Sequence, residues 1–219
     1  MKTLVTVLAA AAVAFASAAS AQEKSAPTAT ATKTVTAATG DPYLLGFDIV
    51  TGEKLPAKPV ARVHEGRSLL FASEDSAKKF EADPASFKAK LDEAMAKDQA
   101  PYYPTTDCVV SGHAAAGDPI EIVKGNRLFR LCCADCVPVL EKDPAPYVAK
   151  LDALVIAAQK PKYALDSCPI SGKKLGSMGE PLDIVAGNRL VRLCCGGCTA
   201  KFASNPQAVL AKLDAAKKN

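Results

Sequence analysis

Eight cysteines fall into two sets with nearly the same internal spacing: Cys108, Cys132, Cys133 and Cys136, then Cys168, Cys194, Cys195 and Cys198. Thiolates are soft ligands; four of them suit a tetrahedral zinc site, and three suit low-coordinate copper(I). Within each set the second and fourth cysteines are four residues apart, which puts them on one helix face if both are helical. The third and fourth form a tighter C-x-x-C clip, and either pair can converge on a metal. A position at a helix start would add backbone N–H groups that stabilise the thiolates.

Two other chemistries compete for the same residues. An even number of cysteines in an exported chain also suits a disulfide framework, which would make this a structural or protein-interaction repeat protein. Adjacent cysteines pair poorly, so such bridges would join Cys108 or Cys168 to its cluster, or Cys133 to Cys136 and Cys195 to Cys198. Thiol–disulfide redox catalysis is the third reading, carried by the two C-x-x-C sequences. No βαβ pattern surrounds them, and the extra cysteine beside each pair would invite scrambling. His113 could reach a metal from the turn that holds Cys108, yet Lys173 stands at the matching place, so a surface histidine is expected. His64 has no companion ligands and is expected as a solvated hairpin residue. Nothing presents a Ser/His/Asp set, a paired-carboxylate site or a phosphate loop, so no enzyme is expected.

These cysteines must be positioned by a unit that the chain repeats. Tyr43, Tyr103 and Tyr163 head three segments at 60-residue spacing, and each segment ends in Lys-Leu-Asp, at Lys90, Lys150 and Lys212. Each also carries an Asp-Pro or Asn-Pro pair, at Asp83, Asp143 and Asn205. Ile120–Val123 and Arg127–Leu131 are β-prone runs about Gly125-Asn126, a dipeptide suited to a tight hairpin, and Leu182–Val185, Gly187-Asn188 and Arg189–Leu193 repeat them. Short helices are expected over about 135–142 and 197–204, with the Asp/Asn-Pro pair stopping each and capping the next. In that next helix Phe87, Leu91 and Met95 share a face, as do Tyr147, Leu151 and Leu154. Arg127/Arg130 and Arg189/Arg192 are expected on a solvated strand face. The fold class is therefore α+β, each unit reading turn, hairpin, helix, helix.

An early Cys, a hairpin, then Cys-x-x-x-Cys and an aromatic residue four further on resembles the TRASH and YHS domains, small treble-clef-like modules linked to heavy-metal binding. The matching residues are Cys168 to Gly172, Gly187-Asn188, Leu193-Cys194, Cys198, Phe202 and Pro206 in the third unit. In the second they are Cys108 to Gly112, Gly125-Asn126, Leu131-Cys132, Cys136, Leu140 and Pro144. The resemblance implies three tandem treble-clef-like modules, 41–100, 101–160 and 161–219, with ligand positions at Cys108, Cys132 and Cys136 and at Cys168, Cys194 and Cys198. Cys133 and Cys195 are additions that could supply a fourth ligand. The first unit has Asp48, Ala72 and Ser76 at those positions, so it keeps the scaffold without the thiolate chemistry.

Ahead of the repeats, Lys2, an apolar stretch from Leu4 to Ala16 and Ala19-Ser20-Ala21 read as a secretory signal peptide over 1–21, cut before Gln22. The stretch is shorter than the roughly 20 residues of a spanning helix, so no membrane span is expected after cleavage, and the leader points to the periplasm. Residues 22–40 are an Ala/Thr-rich flexible linker. A net charge of +4 is too small to suggest a nucleic-acid partner. The 23% charged fraction excludes a wholly disordered chain. The expected partner is a soft metal ion, zinc or copper(I), bound for storage, scavenging or transfer; no protein partner is named by the sequence.

Overall fold

A computed structural model describes residues 41–115 and 117–217; the leader and the linker lie outside them. In the first unit β1 (Val60–His64) and β2 (Arg67–Phe71) form an antiparallel hairpin, followed by α1 (Glu74–Ala82) and α2 (Pro84–Gln99). The second has β3 (Ile120–Lys124), β4 (Arg127–Leu131), α3 (Cys136–Lys142) and α4 (Ala145–Gln159). The third has β5 (Leu182–Ala186), β6 (Arg189–Leu193), α5 (Thr199–Ser204) and α6 (Pro206–Ala216). The fold is thus mixed α and β, built from two-stranded hairpins and short helices.

Local chemistry explains these boundaries. Gly125 and Asn126 have φ of 56° and 66°, and Gly187 and Asn188 of 53° and 60°, so each two-residue loop takes the left-handed pair of a type I′ turn, whose twist matches the strands. Asp83 and Asn205 cap α2 and α6 by accepting from the backbone N–H of Ser86 and Ala208, with Pro in the first turn. Asp143 makes no such cap; α4 starts one residue later, after Pro144. The expected helix near residue 197 begins as a 3₁₀ turn over Gly196–Cys198, where two glycines weaken α-helix entry.

Each unit has its own core. In the first, Phe71, Phe80, Leu91 and Met95 close around Tyr43; in the second, Phe129, Leu131, Leu140 and Leu151 pack on Cys108 and Cys136. The third gathers Val191, Leu193, Phe202 and Leu213 about Cys168, Cys194 and Cys198, and it also takes in Leu44 from the start of the first unit.

The hairpin tips lock the units together. Asn126 Nδ2 donates to the carbonyls of Ser68 and Asp41 at 2.7 and 3.1 Å, and its Oδ1 accepts from Arg67 Nε at 3.0 Å. Gln99, at the end of α2, clamps the same turn by donating to the Asn126 carbonyl and accepting from Leu128 N, both at 2.9 Å. One unit later, Asn188 donates to the Leu128 carbonyl, and Gln159 clamps Asn188 and Leu190 in the same way.

The arginines depart from the expected solvated face. Arg127 is buried, bidentate to Asp41 and bonded to Asp152 at 2.6 Å. Arg189 is buried against Asp98 at 2.7 Å and approaches Asp214 at 3.5 Å. Residues three apart on a strand point to opposite faces, so only Arg130 and Arg192 remain half-exposed, paired with Glu121 and Asp183 over the rings of Tyr103 and Tyr163. His64 is likewise half-buried, its ring edge-on to Phe80 at 5.4 Å.

Truncating one partner of a buried ion network leaves the others charged and unpaired. Arg127→Met should therefore cost about 3–5 kcal/mol, whereas Arg130→Ala should cost below about 1 kcal/mol. Urea unfolding midpoints of the two variants measure the difference, and equal losses would contradict the burial-based ranking.

Candidate metal centres

Each centre starts with a backbone turn. Cys108 N donates to the His113 carbonyl and Gly112 N to the Cys108 carbonyl, both at 2.8 Å; Cys168 and Gly172 repeat both bonds at the same length. The glycines close these turns at φ of 77° and 72°, a left-handed conformation that costs a residue with a Cβ. Lys150, from α4, holds the second unit's turn by donating to the Val109 carbonyl at 2.8 Å, and Lys212, from α6, donates to the Pro169 carbonyl at 2.7 Å. The repeated Lys-Leu-Asp thus has three tasks. Its lysine ties down the cysteine turn, its leucine enters the core, and its aspartate meets the hairpin arginine.

The remaining sulfurs lie where the second strand of the hairpin runs into the following helix. Cys108, Cys132 and Cys136 bring three sulfurs within 4.8 Å of one another, and Cys168, Cys194 and Cys198 do the same. Cys132 and Cys136 are 3.9 Å apart, Cys194 and Cys198 3.8 Å, and Cys168 and Cys198 3.8 Å. Ser111 and Ser171 place hydroxyls 3.2 Å from Cys132 and Cys194. Cys108, Cys136, Cys168, Cys194 and Cys198 are buried, and Cys132 is half-buried.

Cys133 and Cys195 stand outside the two trios. Cys133 is exposed, with its sulfur 3.7 Å from Cys132 and 3.6 Å from Cys136; Cys195 is half-buried and 3.8 Å from Cys194. No disulfide joins any two of the eight cysteines in this structure. His113 is exposed and meets the turn through its backbone N–H, which donates to Ser111 Oγ at 3.2 Å.

The surroundings divide the thiols of each trio. Burial pushes Cys108 up, but backbone N–H groups of Ser111 and Cys132 and the Ser111 hydroxyl outweigh it and leave the thiol lowered to about 6. For Cys168 burial is again overcome, by the Ser171 hydroxyl and backbone N–H groups, and the value falls to about 6. Cys136 and Cys198 are pushed up to about 12, by burial first and then by bonds to neighbouring sulfurs that favour the protonated form. Cys133 is lowered by its bond with Cys136, and Cys195 by the backbone N–H of Gly197.

The first unit shows what the same frame does without sulfur. Asp48 repeats the turn, with Gly52 N donating to its carbonyl at 2.7 Å. Its fully buried carboxylate accepts from Ala72 N at 2.7 Å, Ser76 Oγ at 2.6 Å and Val50 N at 2.8 Å. Here hydrogen bonds join the same three positions: the turn, the strand end and the helix start. The sequence marked Asp48, Ala72 and Ser76 as a site without thiolates; that the aspartate replaces it with a bonded network is visible only in the structure.

Comparison with protein-family models, with curated proteins and with solved structures gives no match to the chain.

The thiols link stability to pH. Cys108 and Cys168 fall below the ordinary 9.0 on folding, so they contribute stability that is present above pH 9 and lost as pH drops through about 6. Cys136 and Cys198 rise above it, contributing stability present below pH 9 and lost as pH climbs through about 12. The reduced, metal-free chain should accordingly show its highest urea midpoint near pH 9 and a decline from there to pH 6. Replacing Cys108 and Cys168 by Ser should flatten that decline; an unchanged slope would contradict the assignment.

Proposed function

We propose that the chain is an exported protein that binds thiophilic metal ions, zinc or copper(I), at its two sulfur trios, for storage, scavenging or transfer. The observation that carries this reading is the convergence of Cys108, Cys132 and Cys136, repeated by Cys168, Cys194 and Cys198, each set within 4.8 Å. Three sulfurs that point to one place suit a single soft cation, whereas disulfides need sulfurs in pairs at about 2 Å. Two acidic thiols at the turns offer ready thiolates, and the raised Cys136 and Cys198 would release protons as an ion binds. The trio alone would suit three-coordinate copper(I), and the trio with Cys133 or Cys195 as a fourth ligand would suit zinc.

The TRASH/YHS resemblance supports the same reading, with each unit as a treble-clef-like module and the first as a scaffold. Binding, not catalysis, is the proposed role. Among the described residues no helix is long and apolar enough to cross a membrane. Export to the periplasm rests on the leader sequence, and the mature chain isolated from that compartment should begin at Gln22; intact mass that retains residues 1–21 would overturn it.

Metal analysis of the reduced full chain should find two soft ions. Cys136→Ser should abolish one and spare the other, and Cys198→Ser should do the converse, because each site draws its sulfurs from one unit. A single shared site, or thiols unmasked to alkylation by reductant and not by chelator, would defeat the reading.

A further inference from the structure

Cys133 and Cys195 are the two cysteines outside the trios, and each is more exposed than the trio sulfurs beside it. Cys133 is exposed, yet its sulfur lies 3.6 and 3.7 Å from two sulfurs of its trio. Cys195 keeps 3.8 Å to Cys194 and is only half-buried. In the same centres the turn cysteines, Cys108 and Cys168, are each 1% exposed. Each centre therefore has a closed side, formed by the turn and the core, and an open side on which the extra thiol stands.

Resting on the metal-binding reading above, the geometry points to Cys133 and Cys195 as relay thiols through which the ion enters and leaves by ligand exchange with a thiol-bearing acceptor. Cys133 Sγ bonds to the ion as the bond from Cys132 Sγ breaks. The proton that Cys133 gives up passes to the released Cys132 thiolate, and no oxidation state changes. An incoming thiol of the acceptor then replaces Cys133 in the same manner, its proton passing to the released Cys133 thiolate. The buried Cys108 and Cys136 release last, so the ion is never without a sulfur ligand. Cys195 performs the same exchange beside Cys194.

The test uses the full-length reduced chain loaded anaerobically with copper(I), with a small dithiol chelator as acceptor. Equilibrium affinity and transfer rate are measured for the parent, for Cys133→Ser with Cys195→Ser, and for Cys132→Ser as a ligand control. In the relay the double variant keeps its stoichiometry of two and its affinity, while transfer slows by about tenfold, the effect of one lost barrier-lowering contact. The exposed position of Cys133 makes Ser tolerable, and a circular-dichroism melt confirms folding. Unchanged transfer would overturn the relay. A fall in affinity with faster release would also overturn it, by showing that the extra thiols are resident fourth ligands. A parent chain that takes up no copper(I) and no zinc would instead defeat the metal-binding reading itself, separately from the relay.

Discussion

The run of charges from Asp152 through Arg127 to Asp41 is the constraint on which the rest of the molecule turns. Buried carboxylates and guanidinium groups are tolerated only with partners in good geometry, so this set fixes three elements at once: α4, the β3–β4 hairpin and the segment that opens the first unit. Two residues before Asp152, Lys150 holds the turn of Cys108. One helix thereby sets both the tip of the hairpin and the place of the first sulfur, and the strand leading from that tip delivers the other two. Asp214 and Lys212 do the corresponding work on α6, with a longer approach of 3.5 Å to Arg189.

Asp98 Oδ2, Asn188 Oδ1 and Arg189 Nε lack partners although buried, and all three belong to the junction of α2 with the third hairpin. The equivalent junction around Arg127 is fully bonded. The same frame thus closes less completely in the third unit, where the cysteine trio is the more deeply buried of the two. In the first unit Asp48 joins turn, strand end and helix start by hydrogen bonds.

Much of the local structure was legible in the sequence because it follows from local chemistry: Gly-Asn turns, proline in the first helical turn, apolar residues at helical spacing, and cysteines at the strand–helix junction. The trios could be anticipated because a hairpin returns the chain close to its start. What escaped was everything set by distant partners. Arg127 and Arg130 look alike in a strand, but one meets carboxylates 86 and 25 residues away, and the other its cross-strand Glu121. Nothing near Leu44 says that it belongs to the core of the third unit. Asn126 could be read as a turn residue, while its side-chain bonds to Arg67, Ser68 and Asp41 could not.

The glutamine clamps also govern where the chain can change length. Gln99 and Gln159 each follow the aspartate of Lys-Leu-Asp by seven residues on one helix, so an inserted residue between them would swing the amide about 100° from the turn it holds. The loop between the cysteine turn and the hairpin has no such coupling. It is there that the third unit carries its two additional residues, Cys168 to Cys194 spanning 26 positions where Cys108 to Cys132 spans 24. Duplication of this unit leaves the helices as fixed rulers and confines insertions and deletions to that loop.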